Sequence, residues 1–104
     1  MTTPITPAHS FVYDGARMNI FHANKGEGLP KHEHNFAHAT FCMSGSCYIR
    51  KENKEIIADK FTQPVNLVAN EWHEIDVTKD GTVWVNVFAD KYKYDDLPIL
   101  TEVV

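Results

Sequence analysis

A chain of 104 residues, 43% hydrophobic and 12% aromatic, has the length of one domain and enough apolar surface for one modest core. Its formal charge of −4 lacks the basic footprint of a nucleic-acid binder. The positive charges do not cluster either, since Lys51, Lys54 and Lys60 alternate with Glu52, Glu55 and Asp59 as on a solvated hairpin.

The first residues, Met1 to Pro7, carry neither a positive region nor an apolar stretch, so no secretory leader is expected. The apolar runs are too short for a membrane-spanning helix. Cys42 and Cys47 flank a glycine-containing turn and are open to two readings, a single disulfide or free thiols. Free thiols in a reducing compartment suit two cysteines better, and the expected location is the cytoplasm.

Taken in chain order, the sequence breaks into short β-prone runs between turn signals. Phe11 to Tyr13 leads into a turn at Asp14-Gly15. Arg17 to Ala23 alternates, with Met18, Ile20 and His22 on one face and Arg17 and Asn19 on the other. Residues 24–30, rich in glycine and ending at Pro30, read as a loop. His38 to Met43 and Cys47 to Lys51 flank Ser44-Gly45-Ser46 as a hairpin, and Glu52-Asn53-Lys54 turns the chain into Ile56 to Ala58. Val65 to Ala69, Trp72 to Val77 and Thr82 to Ala89 follow, with Lys79-Asp80-Gly81 as a turn. About eight strands at this spacing predict an all-β antiparallel sandwich or barrel. Its core runs over about residues 10–90 of a single domain, 1–104. After Asp90 the alternation lapses, and Leu97-Pro98-Ile99-Leu100 forms an apolar stretch in a tail over 91–104.

Three of six histidines fall within seven residues, as His32-Glu-His34-Asn-Phe-Ala-His38. Residues two apart on a strand share a face, so His32 and His34 can aim at one point, and His38 keeps the even spacing and can join them from the same strand or after a local bulge. Imidazole nitrogens suit Zn, Fe, Ni or Cu better than Mg or Ca. His9 reads as a surface residue near the terminus.

Gly26-x5-His32-x-His34-x3-His38-x6-Gly45 resembles the first motif of the cupin family, except that His38 stands where the family has Glu. The segment from Val65 to His73 resembles the second motif in degenerate form. Asn70 replaces a turn glycine, Val68 a proline and Val77 the final Asn, while His73 keeps the position of the fourth ligand. Asn is a tolerable substitute because it also accepts left-handed backbone geometry. The resemblance covers about residues 20–90. It implies a double-stranded β-helix, or jelly roll, holding one divalent transition metal (Fe, Zn, Ni or Cu) on His32, His34, His38 and His73. Four neutral ligands would leave the full 2+ charge on the site and remove the hard oxygen donor that favours Mn.

By parity Thr40 and Cys42 share a face with His38, and Ile75 shares one with His73. Phe36, Tyr48 and His22 are further candidates for the pocket wall. Blander readings stand beside these: Cys42 as small core filling, His22 as a satisfied core histidine, His38 as an imidazole that orients another ligand. No catalytic residue is singled out, as there is no Ser–His–Asp arrangement and no phosphate loop. The expected partner is a small molecule, with neither nucleic acid nor membrane. Three functions remain open: a metal-dependent enzyme on a small organic molecule, a non-catalytic ligand- or metal-sensing domain, and a purely structural metal site. For the first, cupins with all-histidine sites imply an Fe-dependent dioxygenase of diketones or thiols, or a Zn-dependent cyclase, isomerase or lyase. A homodimer is expected, because cupins commonly pair and because Phe11 to Tyr13 and Leu97 to Leu100 offer apolar edges to a second copy.

Overall fold

A computed structural model describes residues 2–90. Ten strands follow in order: β1 (Thr3–Pro4), β2 (His9–Tyr13), β3 (Ala16–Ala23), β4 (Glu27–His32), β5 (His38–Ser44), β6 (Cys47–Lys51), β7 (Lys54–Ala58), β8 (Val65–Leu67), β9 (His73–Val77) and β10 (Thr82–Ala89). They form two five-stranded sheets, ordered β1-β4-β9-β6-β7 and β2-β3-β10-β5-β8. Successive strands repeatedly cross from one sheet to the other, as a jelly roll requires. Among the described residues no helix is long and apolar enough to cross a membrane. Residues 91–104, with the Leu97 to Leu100 stretch, lie outside the described residues.

Alternation explains most of the strands. In β5 the residues His38, Thr40 and Cys42 turn inward, in β6 Cys47 and Ile49, and in β9 His73, Ile75 and Val77. Between the sheets lie Phe21, Leu29, Ile49, Leu67, Ile75 and Trp84, all essentially inaccessible to solvent. Burial of each such side chain contributes about 1.5–3 kcal/mol. Phe21 and Trp84 stack with centroids 4.4 Å apart and planes 7° from parallel.

Three expectations need correcting. The supposed loop 24–30 contains most of β4, which pairs antiparallel with β9 and carries the short parallel β1 on its outer edge. Its glycine is a packing device: a Cβ on Gly28 would collide with the carbonyl oxygen of Ile75. Pro30 falls where the register shifts between Leu29 and His32, a place where a strand tolerates a missing N–H. Second, β8 ends at Leu67 rather than Ala69, and β9 begins at His73 rather than Trp72. Third, the inward face of β3 is Asn19, Phe21 and Ala23, whereas Met18 and Ile20 are half-buried on the outside and His22 is exposed. The polar look of Arg17 and Asn19 points the parity the wrong way.

Candidate metal centre

Four histidines meet at a corner between the sheets. His32 is the last residue of β4 and faces His73, the first residue of β9, as its register partner. His34 lies in the segment 33–37, which carries the chain across to the second sheet, where His38 opens β5 opposite Leu67 on β8. His34 and His38 therefore do not share a strand with His32; a change of sheet brings them together. The turn of the second motif holds that segment in place. Asn70 adopts the left-handed geometry (φ 63°) that its glycine-like position predicts, and its N–H donates to the His34 carbonyl at 2.7 Å. Phe36 stacks on the His34 ring at 4.0 Å and also meets Phe88, with ring centroids 5.1 Å apart.

The ligand atoms of His32, His34 and His73 all lie within 4.8 Å of one another. His38 stands beside this triad, its ring centroid 5.0 Å from that of His34 and 5.3 Å from that of His73. Every Nδ1 has a partner two residues away. His32 donates to the Pro30 carbonyl at 2.6 Å, His34 to that of Phe36 at 2.7 Å, and His73 to that of Glu71 at 3.2 Å. His38 Nδ1 lies 3.0 Å from the Thr40 hydroxyl. A carbonyl oxygen only accepts, so the first three rings carry their proton on Nδ1 and present a bare Nε2 lone pair. All four Nε2 atoms are buried and have no protein partner.

Burial keeps these rings neutral. It lowers the His34 pKa to about 4 and that of His73 to about 3, each also opposed by the charge a neighbouring ring would carry. His38, only 2% exposed, is held well below the usual range by burial and then by His73, and His32 is lowered by burial as well. Each unpartnered buried nitrogen costs about 1–3 kcal/mol unless something binds it. Neutral imidazoles converging on one point are a borderline-soft donor set that fits Zn, Fe, Ni or Cu. At the rim, Lys51 donates to the Asn66 carbonyl at 3.0 Å and pairs with Glu71 at 3.5 Å, while Lys31 lies over the Trp72 ring.

Of the pocket candidates, Phe36, Thr40, Cys42 and Ile75 are buried inside the barrel. Two face outward instead. Tyr48 donates its hydroxyl to Glu55 at 2.6 Å beneath the Arg50 guanidinium, which also pairs with Glu74 and Asp76. His22 is exposed and packs its ring against His9 on β2. Cys42 and Cys47 are free buried thiols, their pKa values raised by desolvation, and Cys42 donates to the Ser44 carbonyl. Sequence reading missed Asn86, fully buried on β10 and hydrogen-bonded to Thr40. The signal was there, since Asn86 shares parity with Trp84 and Phe88.

No protein-family model matches the sequence, and no curated protein matches it. Solved structures do resemble the fold. KdgF from Halomonas sp. superimposes with a TM-score of 0.72 at 10% identity, over 86% of this chain and 80% of that one. A cupin-2 domain containing protein from Shewanella frigidimarina NCIMB 400 gives 0.63 at 11% identity, over 82% and 83%. A cupin 2 conserved barrel domain protein from Leptotrichia buccalis gives 0.67 at 20% identity, over 78% of this chain and 39% of that one. Two five-stranded sheets in jelly-roll order, a histidine cluster at their corner and these likenesses lead to one statement: the chain has the cupin fold, with a three-histidine group able to hold a metal ion.

Proposed function

We propose that the chain is a metal-dependent enzyme of small organic molecules that holds one divalent transition ion on His32, His34, His38 and His73. The observation that carries this reading is the set of four buried Nε2 atoms without protein partners, on rings whose Nδ1 atoms are all engaged. Such an ion, when bound, supplies Lewis acidity and, if it is iron, redox chemistry. The protein's part is to present neutral donors, so the positive charge is left for the ligand to neutralise. Enolates, α-hydroxy or keto acids and small thiols fit that requirement best. Phe36, stacked on His34, and Leu67, opposite His38, give these imidazoles apolar neighbours. With iron, oxygen-consuming turnover of a diketone or thiol is expected; with zinc, an isomerase, cyclase or lyase reaction without oxygen.

The test is metal analysis of untagged protein. It should carry close to one Zn, Fe, Ni or Cu per chain, and the His32→Ala/His34→Ala double variant should carry none. Metal retained in that variant would end the proposal. Turnover of at least one compound of these classes, lost in His73→Ala, would establish catalysis. Metal and ligand binding with no turnover would leave a non-catalytic binding domain.

A further inference from the structure

The inner face of the sheet β2-β3-β10-β5-β8 carries polar side chains where core residues are expected. Register places Asn19 beside Asn86 and Asn86 beside Thr40, with the exposed Ser10 next to Asn19 on edge strand β2. Asn86 and Thr40 are inaccessible to solvent, a position that is costly for polar groups unless they are bonded. The row ends at a metal-site histidine. Thr40 gives its hydroxyl proton to Asn86 Oδ1 at 2.6 Å, and the Thr40 hydroxyl oxygen itself lies 3.0 Å from His38 Nδ1.

A hydroxyl has one proton. When that proton points at Asn86, the Thr40 oxygen faces His38 with a lone pair, so the ring must donate from Nδ1 and Nε2 is bare. Turning the Asn86 amide over reverses the sequence. Its NH2 then donates to Thr40, Thr40 donates to Nδ1, and the proton of the neutral imidazole moves to Nε2, where it blocks a metal. The other three rings take their tautomer from a carbonyl oxygen, which cannot reverse. With Oδ1 toward Thr40, Asn86 Nδ2 has no protein partner, so the amide holds this orientation without a second bond to fix it.

We propose that Thr40 and Asn86 are positioning residues that set the tautomer of His38 and thereby its ability to bind metal. This rests on the reading that His38 is a ligand. The four-ligand site thus has three members locked by backbone and one governed by a side-chain pair. Anything that stabilises Asn86 Oδ1 toward Thr40 tightens the site, and anything that favours the reverse loosens it.

The test uses the full chain, 15N-labelled and metal-free, with long-range 1H–15N NMR to read which ring nitrogen of His38 carries the proton. Wild type, in which Asn86 Oδ1 faces the Thr40 hydroxyl, should show the proton on Nδ1. Asn86→Leu frees the Thr40 hydroxyl to donate and should move the proton to Nε2. Zinc affinity, measured by chelator competition, should fall about 10–100-fold in Asn86→Leu and Thr40→Val. Thr40→Ser, which keeps the hydroxyl, should hold it near wild type, which separates the relay from a folding defect. A wild-type His38 protonated on Nε2, or an Asn86→Leu protein with unchanged tautomer and affinity, would overturn the proposal. His38→Ala with unchanged zinc affinity would instead overturn the ligand reading beneath it, an outcome the tautomer spectra do not share.

Discussion

Acidification of the metal-free protein should unfold it for a reason that can be traced to the site. Below pH 6.5 the unfolded chain takes up a proton on each site histidine, whereas the folded chain resists until about pH 4 at His34 and about pH 3 at His73. The unfolded state then binds more protons, so stability is complete above 6.5 and is lost as pH falls towards the folded values. At pH 5 the loss is about 2 kcal/mol for each of these two rings, or about 4 kcal/mol if they titrate independently. His32 and His38, shifted the same way, add to it. That is a large part of the 5–15 kcal/mol typical of a domain. Urea titrations followed by tryptophan fluorescence should therefore give a much lower midpoint at pH 5 than at pH 8. Replacing His34 and His73 together by Gln should flatten the difference. Equal midpoints at the two pH values in wild type would refute the argument, because they would mean the rings accept protons in the folded state.

Three shorter tests probe other parts of the structure. Gly28→Ala should destabilise the protein and weaken zinc binding together, since the new Cβ pushes β4 away from Ile75 and β4 carries His32; unchanged zinc affinity in a chelator competition would contradict this. His22→Ala and Tyr48→Phe should leave zinc affinity at the wild-type value, because both side chains face outward. Light scattering at tens of micromolar should give the mass of two 11.9 kDa chains, with the exposed Phe11, Val12 and Tyr13 of edge strand β2 as the first surface to mutate; the mass of one chain would reject the dimer.

The parts of the fold that could be read from sequence were those where local signals agree. β5, β6, β9 and β10 lie where β-prone runs between turn signals place them, and Asp14-Gly15 and Gly81 mark turns whose positive φ angles the backbone does adopt. Asn70 was readable for the same reason, as one of two non-glycine residues with positive φ among those described. β4 was not, because Gly28 and Pro30 both argue against a strand, and only pairing with β9 overrides them. The face of β3 was misread because binary patterning assigns polar residues to the outside, and this barrel buries Asn19 and Asn86. That failure falls beside the histidines, where a departure from the pattern is most informative. His32 and His34 were placed on one strand by spacing alone. Their convergence comes instead from β4 pairing with β9 and from the crossing at 33–37.

The site therefore divides into what the chain encodes locally and what only the fold supplies. Each ring is oriented by a group two residues away: Pro30 for His32, Phe36 for His34, Thr40 for His38, Glu71 for His73. Three of these acceptors are backbone carbonyls and need no particular side chain, so the tautomer of His32, His34 and His73 follows from local geometry. Convergence is different. It requires the β4–β9 register and the Asn70 bond to the His34 carbonyl, and burial keeps the converging rings neutral. His38 is the exception on both counts, because its acceptor is a hydroxyl whose proton is assigned by Asn86, 46 residues further along the chain. Its orienting hydroxyl is thereby tied to a side chain of β10, and His38 stands where the cupin motif that the sequence resembles has Glu.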